Sequence, residues 1–209
     1  MNTSVRGSGD SPARRTQAER TAATRATLID AGRKLFSTKG FAEVSTQAIV
    51  EAAGVTRGAL YHHFKDKTDL FAAVHESLEA QLVTDVARGI AAQQPTGPMA
   101  AMRLGARLFL DLCAAPDVQQ ILLVDAPAVL GWDRWREVGV KYALGVIEGL
   151  LTQAVAQGEI PEQPLRPTAH VLLGALDEAA LYVSRAEDRQ RAREEMYAVC
   201  DRIVAGIAG

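Results

Sequence analysis

A chain of 209 residues with 48% hydrophobic and 23% charged side chains is long enough to bury a core without staples, and its two cysteines exclude a disulfide framework. The net charge of −2 conceals an asymmetry: residues 1–67 hold 11 basic against 6 acidic side chains, and residues 68–209 hold 12 against 19. A basic front on an acidic body suits contact with a polyanion, and a plain solvated surface remains the alternative. Abundant alanine and only 5% aromatic residues favour helix over strand.

Residues 1–15 are rich in Ser, Gly and Arg and read as a disordered tail. They contain no apolar core segment, so no signal peptide is expected. No apolar run is read as reaching the roughly 18 residues of a membrane span, and the expected compartment is the cytoplasm. The first helix is predicted from about Gln17 to Thr38, with Leu28, Ile29, Gly32, Leu35 and Phe36 on one face and Gly40 after its end. Ser45 or Thr46 starts a short helix to Ala53, and Gly54 breaks it. Thr56 caps a second short helix to about His63, and Asp66 caps a long one from Lys67 to about Ala92.

Gln94 to Pro98 is a break. A fifth helix is predicted over Met99 to Ala114, with Met102, Ala106, Phe109 and Leu110 inward. Pro116 opens a sixth, expected to stop near Pro127. The seventh runs from Trp132 to about Gln157, the eighth from Pro167 to about Ser184, and the ninth from about Asp188 to Ile207. No alternating strand pattern appears. The expected fold class is all-α, about nine helices: an N-terminal three-helix head on a helical body. The divisions fall at 1–15, 16–66 and 67–209. Cys113 and Cys200 sit in apolar helical patterns and are expected as buried free thiols.

The informative segment is STQAIVEAAGVTRGALYHHF, residues 45–64. Two helices of about two turns joined by a glycine-containing turn form a helix-turn-helix pattern. Ile49, Ala53, Val55, Leu60 and Phe64 supply its core. Thr56, Arg57, Gly58, Ala59, Tyr61 and His62 then face outward. Gly58 and Ala59 are small enough for base edges to approach, Arg57 reaches guanine or phosphate, and Tyr61 offers a hydroxyl to phosphate. Lys67 adds a cation at a helix N-terminus.

The run AGVTRGALYHHFKDK (residues 53–67), with Ile49 before it and Leu70 after it, resembles the DNA-binding domain of TetR-family repressors. Ala31-Gly32, Leu35-Phe36 and Lys39-Gly40-Phe41 resemble that family's first helix and its exit. The resemblance covers about residues 24–75. Val50 departs from it, standing where the family usually has Ala. The resemblance implies DNA contacts at Thr46, Gln47, Thr56, Arg57, Gly58, Ala59, Tyr61, His62, His63 and Lys67, with base readout mainly from Arg57, Gly58, Ala59 and His62. It further implies a homodimer formed through the last two helices and a pseudo-palindromic operator in double-stranded DNA. A small-molecule effector in the body would release that operator.

Candidates for effector contact are Met102, Phe109, Asp125, Trp132, Trp135, His170 and Asp177. Pro127 interrupts the helical pattern and leaves room for a cavity that Trp132 and Trp135 could line; both could equally pack the seventh helix. Asp125 and Asp177 are anchors for a cationic or hydroxylated ligand, or else exposed or ion-paired residues. His170 is a core histidine or a ligand contact. The apolar stripes from Leu172 to Val183 and from Met196 to Ile207 are absorbed by the chain's own core or shared with a partner copy. His62 and His63 point about 100° apart on a helix, which argues against a shared metal ion. No catalytic triad, phosphate loop or metal spacing is present, so neither an enzyme nor a cofactor is expected. A purely architectural DNA-binding protein has no need for so deep an apolar body.

Overall fold

The computed structural model describes residues 16–208; the tail predicted over residues 1–15 lies outside them. Nine helices and no strand occur among the described residues. Helix α1 (Gln17–Glu43) starts in a capping box: Glu19 N donates to the Thr16 hydroxyl, and Thr16 N donates to the Glu19 carboxylate. Its axis breaks at Gly40, whose φ of 75° and ψ of 163° suit only a residue without a Cβ. Helices α2 (Thr46–Ala53) and α3 (Arg57–His63) are capped by Ser45 and Thr56, whose hydroxyls accept from Ala48 N and Ala59 N, each at 3.1 Å. Between them Gly54 takes the left-handed conformation, and Val55 N reaches back to Val50 O at 3.1 Å. Asp66 caps α4 (Lys67–Gln93), accepting from Asp69 N.

The head closes on an aromatic cluster. The ring of Phe71 from α4 meets Phe36 and Phe41 edge-on at centroid distances of 5.2 and 5.1 Å. Gly32 allows α1 and α4 to approach closely, since a Cβ there would lie 3.2 Å from Val74. Val50 is buried and accommodated. Leu28, Ile49, Leu60, Leu70 and Leu78 join the same core cluster, which continues into the body through Leu110, Ile121 and Trp135.

The body comprises α5 (Pro98–Cys113), α6, α7 (Trp132–Ala156), α8 (Leu165–Arg185) and α9 (Arg189–Gly206). Helix α6 runs as Pro116–Val118, Gln119–Asp125 and Ala126–Leu130, helical throughout and π-wound in its middle stretch. It does not stop at Pro127 as predicted. The wide winding bonds Ala126 N to Ile121 O, and Pro127 then falls in the first turn of the resumed α-helix, where a missing N–H costs little. The true break is Gly131, with φ of 79°. Helix α7 is π-wound over Val140–Leu144.

One expectation needs correction. Helix α7 has 25 residues and is long and apolar enough, by length and composition alone, to cross a membrane. Its Leu144, Ile147, Leu151 and Ala154 instead pack with Met99, Met102, Leu172, Leu173 and Val204 in a second core cluster. Cys113 and Cys200 are buried free thiols, as expected, and burial pushes both thiols up in pKa.

Candidate nucleic-acid interface and effector cavity

The caps at Ser45, Thr56 and Asp66 and the buried Leu60 and Phe64 fix α3 with one face outward. On that face Thr56, Arg57, Gly58, Tyr61 and His62 are exposed, and Ala59 is partly so. A Cβ at Gly58 would meet nothing closer than the Thr56 hydroxyl at 3.9 Å, so the backbone there stands open to an approaching surface. The Arg57 guanidinium lies 5.7 Å from the centre of the Tyr61 ring. Arg57, and after it the Thr46 hydroxyl, hold the Tyr61 phenol below its usual pKa. Thr46, Arg57 and Tyr61 therefore form one contiguous polar patch across α2 and α3.

Three expected contact residues are placed differently. Gln47 is exposed, but its amide donates to Glu51 at 2.7 Å. His63 turns toward an open cleft between head and body, lined also by Arg25, His75, Glu76 and Arg134. Burial, and then the neighbouring His62, lower its pKa. The Lys67 ammonium donates to Phe41 O at 2.8 Å and Val44 O at 2.9 Å and sits 4.1 Å from the Phe41 ring centre. Lys67 thus pins the exit of α1 onto the start of α4, with at most one N–H left over for a phosphate.

In the body, α4, α5, α7 and α8 enclose a cavity of about 670 Å³ including its open mouth. Val83, Val86 and Ile90 of α4 line one wall; Met102 and Phe109 of α5, Ile147 of α7 and Leu176 of α8 line others. Of the expected effector residues, Met102, Phe109 and Asp177 are brought together here. The other four are not, and each is placed elsewhere for a visible reason. Asp125 accepts from Phe41 N at 2.8 Å, tying α6 to the head. Trp135 is 6% exposed and donates its indole N–H to Leu122 O at 3.0 Å. Trp132 is 59% exposed and lies against Trp135, ring centres 4.9 Å apart. His170 is exposed, and its carbonyl accepts from Arg136.

Glu79 was not anticipated from the sequence. It stands on the cavity wall, and burial, followed by the charge of Asp177, pushes its carboxyl up to about 7. Its signal was in the spacing: Glu79, Val83, Val86 and Ile90 recur at i, i+4, i+7 and i+11, a carboxylate inside an apolar stripe. Asp177 is raised to about 6 by burial, against the opposing pull of Arg136, which bonds to it at 2.5 Å.

The head and cavity are physically joined. Helix α4 runs from the head core at Leu70 to the cavity wall at Ile90. Arg33 of α1 holds Asp117 of α6 at 2.6 Å and Gln81 of α4 at 2.6 Å.

A helix-turn-helix head braced against a helical body with its own cavity defines a DNA-binding regulator with a sensing domain. Comparison with known proteins supports that class. Residues 28–74 match bacterial regulatory proteins of the tetR family, and residues 99–207 match the tetracyclin repressor-like C-terminal domain. The chain belongs to the TetR family of transcriptional regulators. A TetR-family regulator from Pectobacterium atrosepticum shares 31% identity and superposes with a TM-score of 0.80, over 93% of this chain and 98% of that one. The transcriptional regulator SrpR of Pseudomonas putida is 28% identical over 85% of this chain and 83% of its own length. AcrR of Shigella flexneri is 40% identical, but over 38% of this chain and 37% of its own length.

Proposed function

We propose that this chain is a ligand-responsive transcriptional regulator, a repressor that acts in the cytoplasm as a homodimer without enzymatic activity. Its head (16–66) binds a pseudo-palindromic operator in double-stranded DNA, and its body (67–209) dimerises and takes up a small-molecule effector that releases the operator. The observation that carries this reading is the face of α3. Arg57, Gly58, Tyr61 and His62 stand exposed on a helix held rigid by caps and a buried core, with Gly58 open to close approach. Thr46, Gln47, Thr56, Ala59, His63 and Lys67 are the remaining proposed DNA contacts, Lys67 mainly by holding the helices in place. Base edges would be read by Arg57, Gly58, Ala59 and His62, with half-site centres about 34–36 Å apart or somewhat more.

Support for the dimer comes from exposed apolar and aromatic side chains on α8 and α9: Val171 is 69% exposed, Tyr182 48% and Ile203 40%. A two-fold operator requires such a partner. The cavity and the helix α4 that joins it to the head support effector control.

The deciding experiment is fluorescence anisotropy of the purified chain with DNA from upstream of its own gene, beside a scrambled duplex at one fixed salt concentration. Selective binding with a stoichiometry of one dimer per site is expected. Equal, salt-sensitive binding to both duplexes, persisting across a random-sequence selection, would remove the operator-binding reading.

A further inference from the structure

We propose that the effector is a cationic amphiphile, an apolar body bearing one ammonium group, and that Glu79 on the cavity wall is its counter-ion. This rests on the reading of the cavity as the effector site. The cavity wall is apolar apart from its two carboxyl groups, Glu79 and Asp177, and it includes no basic side chain. Their situations differ. Asp177 is already matched by Arg136, which approaches from α7 and also bonds to His170 O. Glu79 has no hydrogen bond or ion pair among the described residues. The titratable groups facing it are Asp177 from α8, with Arg136 beyond, and the Cys113 thiol from α5.

Two carboxyl groups against one guanidinium leave one negative charge without a partner when both ionise. An unpaired carboxylate among apolar side chains is costly and is held protonated instead, in keeping with its elevated pKa. A ligand that brings its own positive charge removes that cost and gains a strong Coulomb interaction, because few water dipoles compete in such a site. An anionic ligand finds no free cation and is compatible only with a protonated Glu79, and a neutral one gains only apolar burial and a single hydrogen bond. Glu79 sits on α4, one turn beyond His75 and on the same helix that begins in the head at Lys67, whose ammonium holds the exit of α1.

The test compares decyltrimethylammonium, decan-1-ol and decanoate, three probes with the same chain and different heads, titrated calorimetrically into the full-length protein. The ammonium is expected to bind about tenfold or more tightly than the alcohol, and decanoate more weakly than both. Its affinity should rise as pH increases through about 7, where Glu79 ionises; the probe itself carries a fixed charge and does not titrate. The preference for the ammonium should collapse in Glu79→Gln. Equal affinity for ammonium and alcohol, or a preference that survives Glu79→Gln, would overturn the assignment of a cationic effector while leaving the cavity as the effector site. Failure of all three probes to bind would overturn the reading of the cavity itself. The pH arm uses the unmodified chain, so the proposal stays testable even if the variant folds poorly.

Discussion

Arg57 and Tyr61 show how much single side chains decide. The guanidinium rests 5.7 Å from the centre of the phenol ring, so both groups stand on the same exposed face of α3. Arg57→Ala is expected to cost about 1–3 kcal/mol of operator affinity and to relax preference at one base position. Anisotropy against a set of single-base operator variants measures both; if neither changes, the proposed reading of base edges by Arg57 is wrong. At this scale the sequence was informative where chemistry is local. Ser45, Thr56 and Asp66 could be read as caps because each hydroxyl or carboxylate bonds an amide three residues on. The role of Lys67 was not legible, since the carbonyls it holds belong to Phe41 and Val44, 26 and 23 residues away.

At the scale of elements, α4 carries two groups one turn apart whose burial has opposite consequences. His75 is 1% exposed, neither ring nitrogen has a partner, and burial lowers its pKa from 6.5 to about 4. Its contribution to stability is therefore complete above pH 6.5 and is lost as pH falls toward 4, because the unfolded chain takes up the proton first. Glu79 is raised from 4.5 to about 7, so its contribution is complete below pH 4.5 and is lost as pH rises through 7. The two slopes oppose each other over nearly the same window. Asp177, raised to about 6, slopes with Glu79, so the variants are read against the unmodified chain: Glu79→Gln should tilt the profile toward loss of stability in acid, and His75→Leu toward loss at neutral pH. Urea denaturation of both variants between pH 4 and 8 checks this, and parallel profiles would contradict it. Helix ends were mostly predictable, because glycine and capping residues act within a turn. The course of α6 was not: Pro127 follows the π-wound stretch Gln119–Asp125 and stands in the first turn of the resumed α-helix, and no local residue pattern announces that winding.

For the molecule as a whole, the joint between head and body matters most. Asp125 accepts from Phe41 N beside the kink at Gly40, and Arg33 bridges to Asp117, so α6 is tied to α1 both at its exit and in its middle. Asp125→Ala leaves a part-buried N–H without its carboxylate and should cost about 1–3 kcal/mol of stability. Hydrogen exchange is expected to accelerate at Phe41 and in α2 and α3 while α8 and α9 stay protected; uniform acceleration would mean that the bond supports the fold generally and not this joint. The cavity was only half legible. Met102 and Phe109 fall on the inward stripe of α5, which periodicity reveals, and Asp177 shares its helix with the stripe of α8. Asp125, Trp132, Trp135 and His170 drew attention by residue type, but which helix each one faces depends on packing between elements distant in sequence.

Trp132 and Trp135 are the chain's only tryptophans, and they stand together at the start of α7, where the buried indole is bonded to α6. All indole emission from the chain thus originates at one spot, from a wet ring in contact with a dry one. Iodide is expected to quench the exposed ring and spare the buried one, and the two are close enough to exchange excitation. The protein consequently carries an intrinsic optical gauge of the seam between α6 and α7, and a shift of one against the other is expected to alter the colour and quenching of its ultraviolet fluorescence without a dye attached.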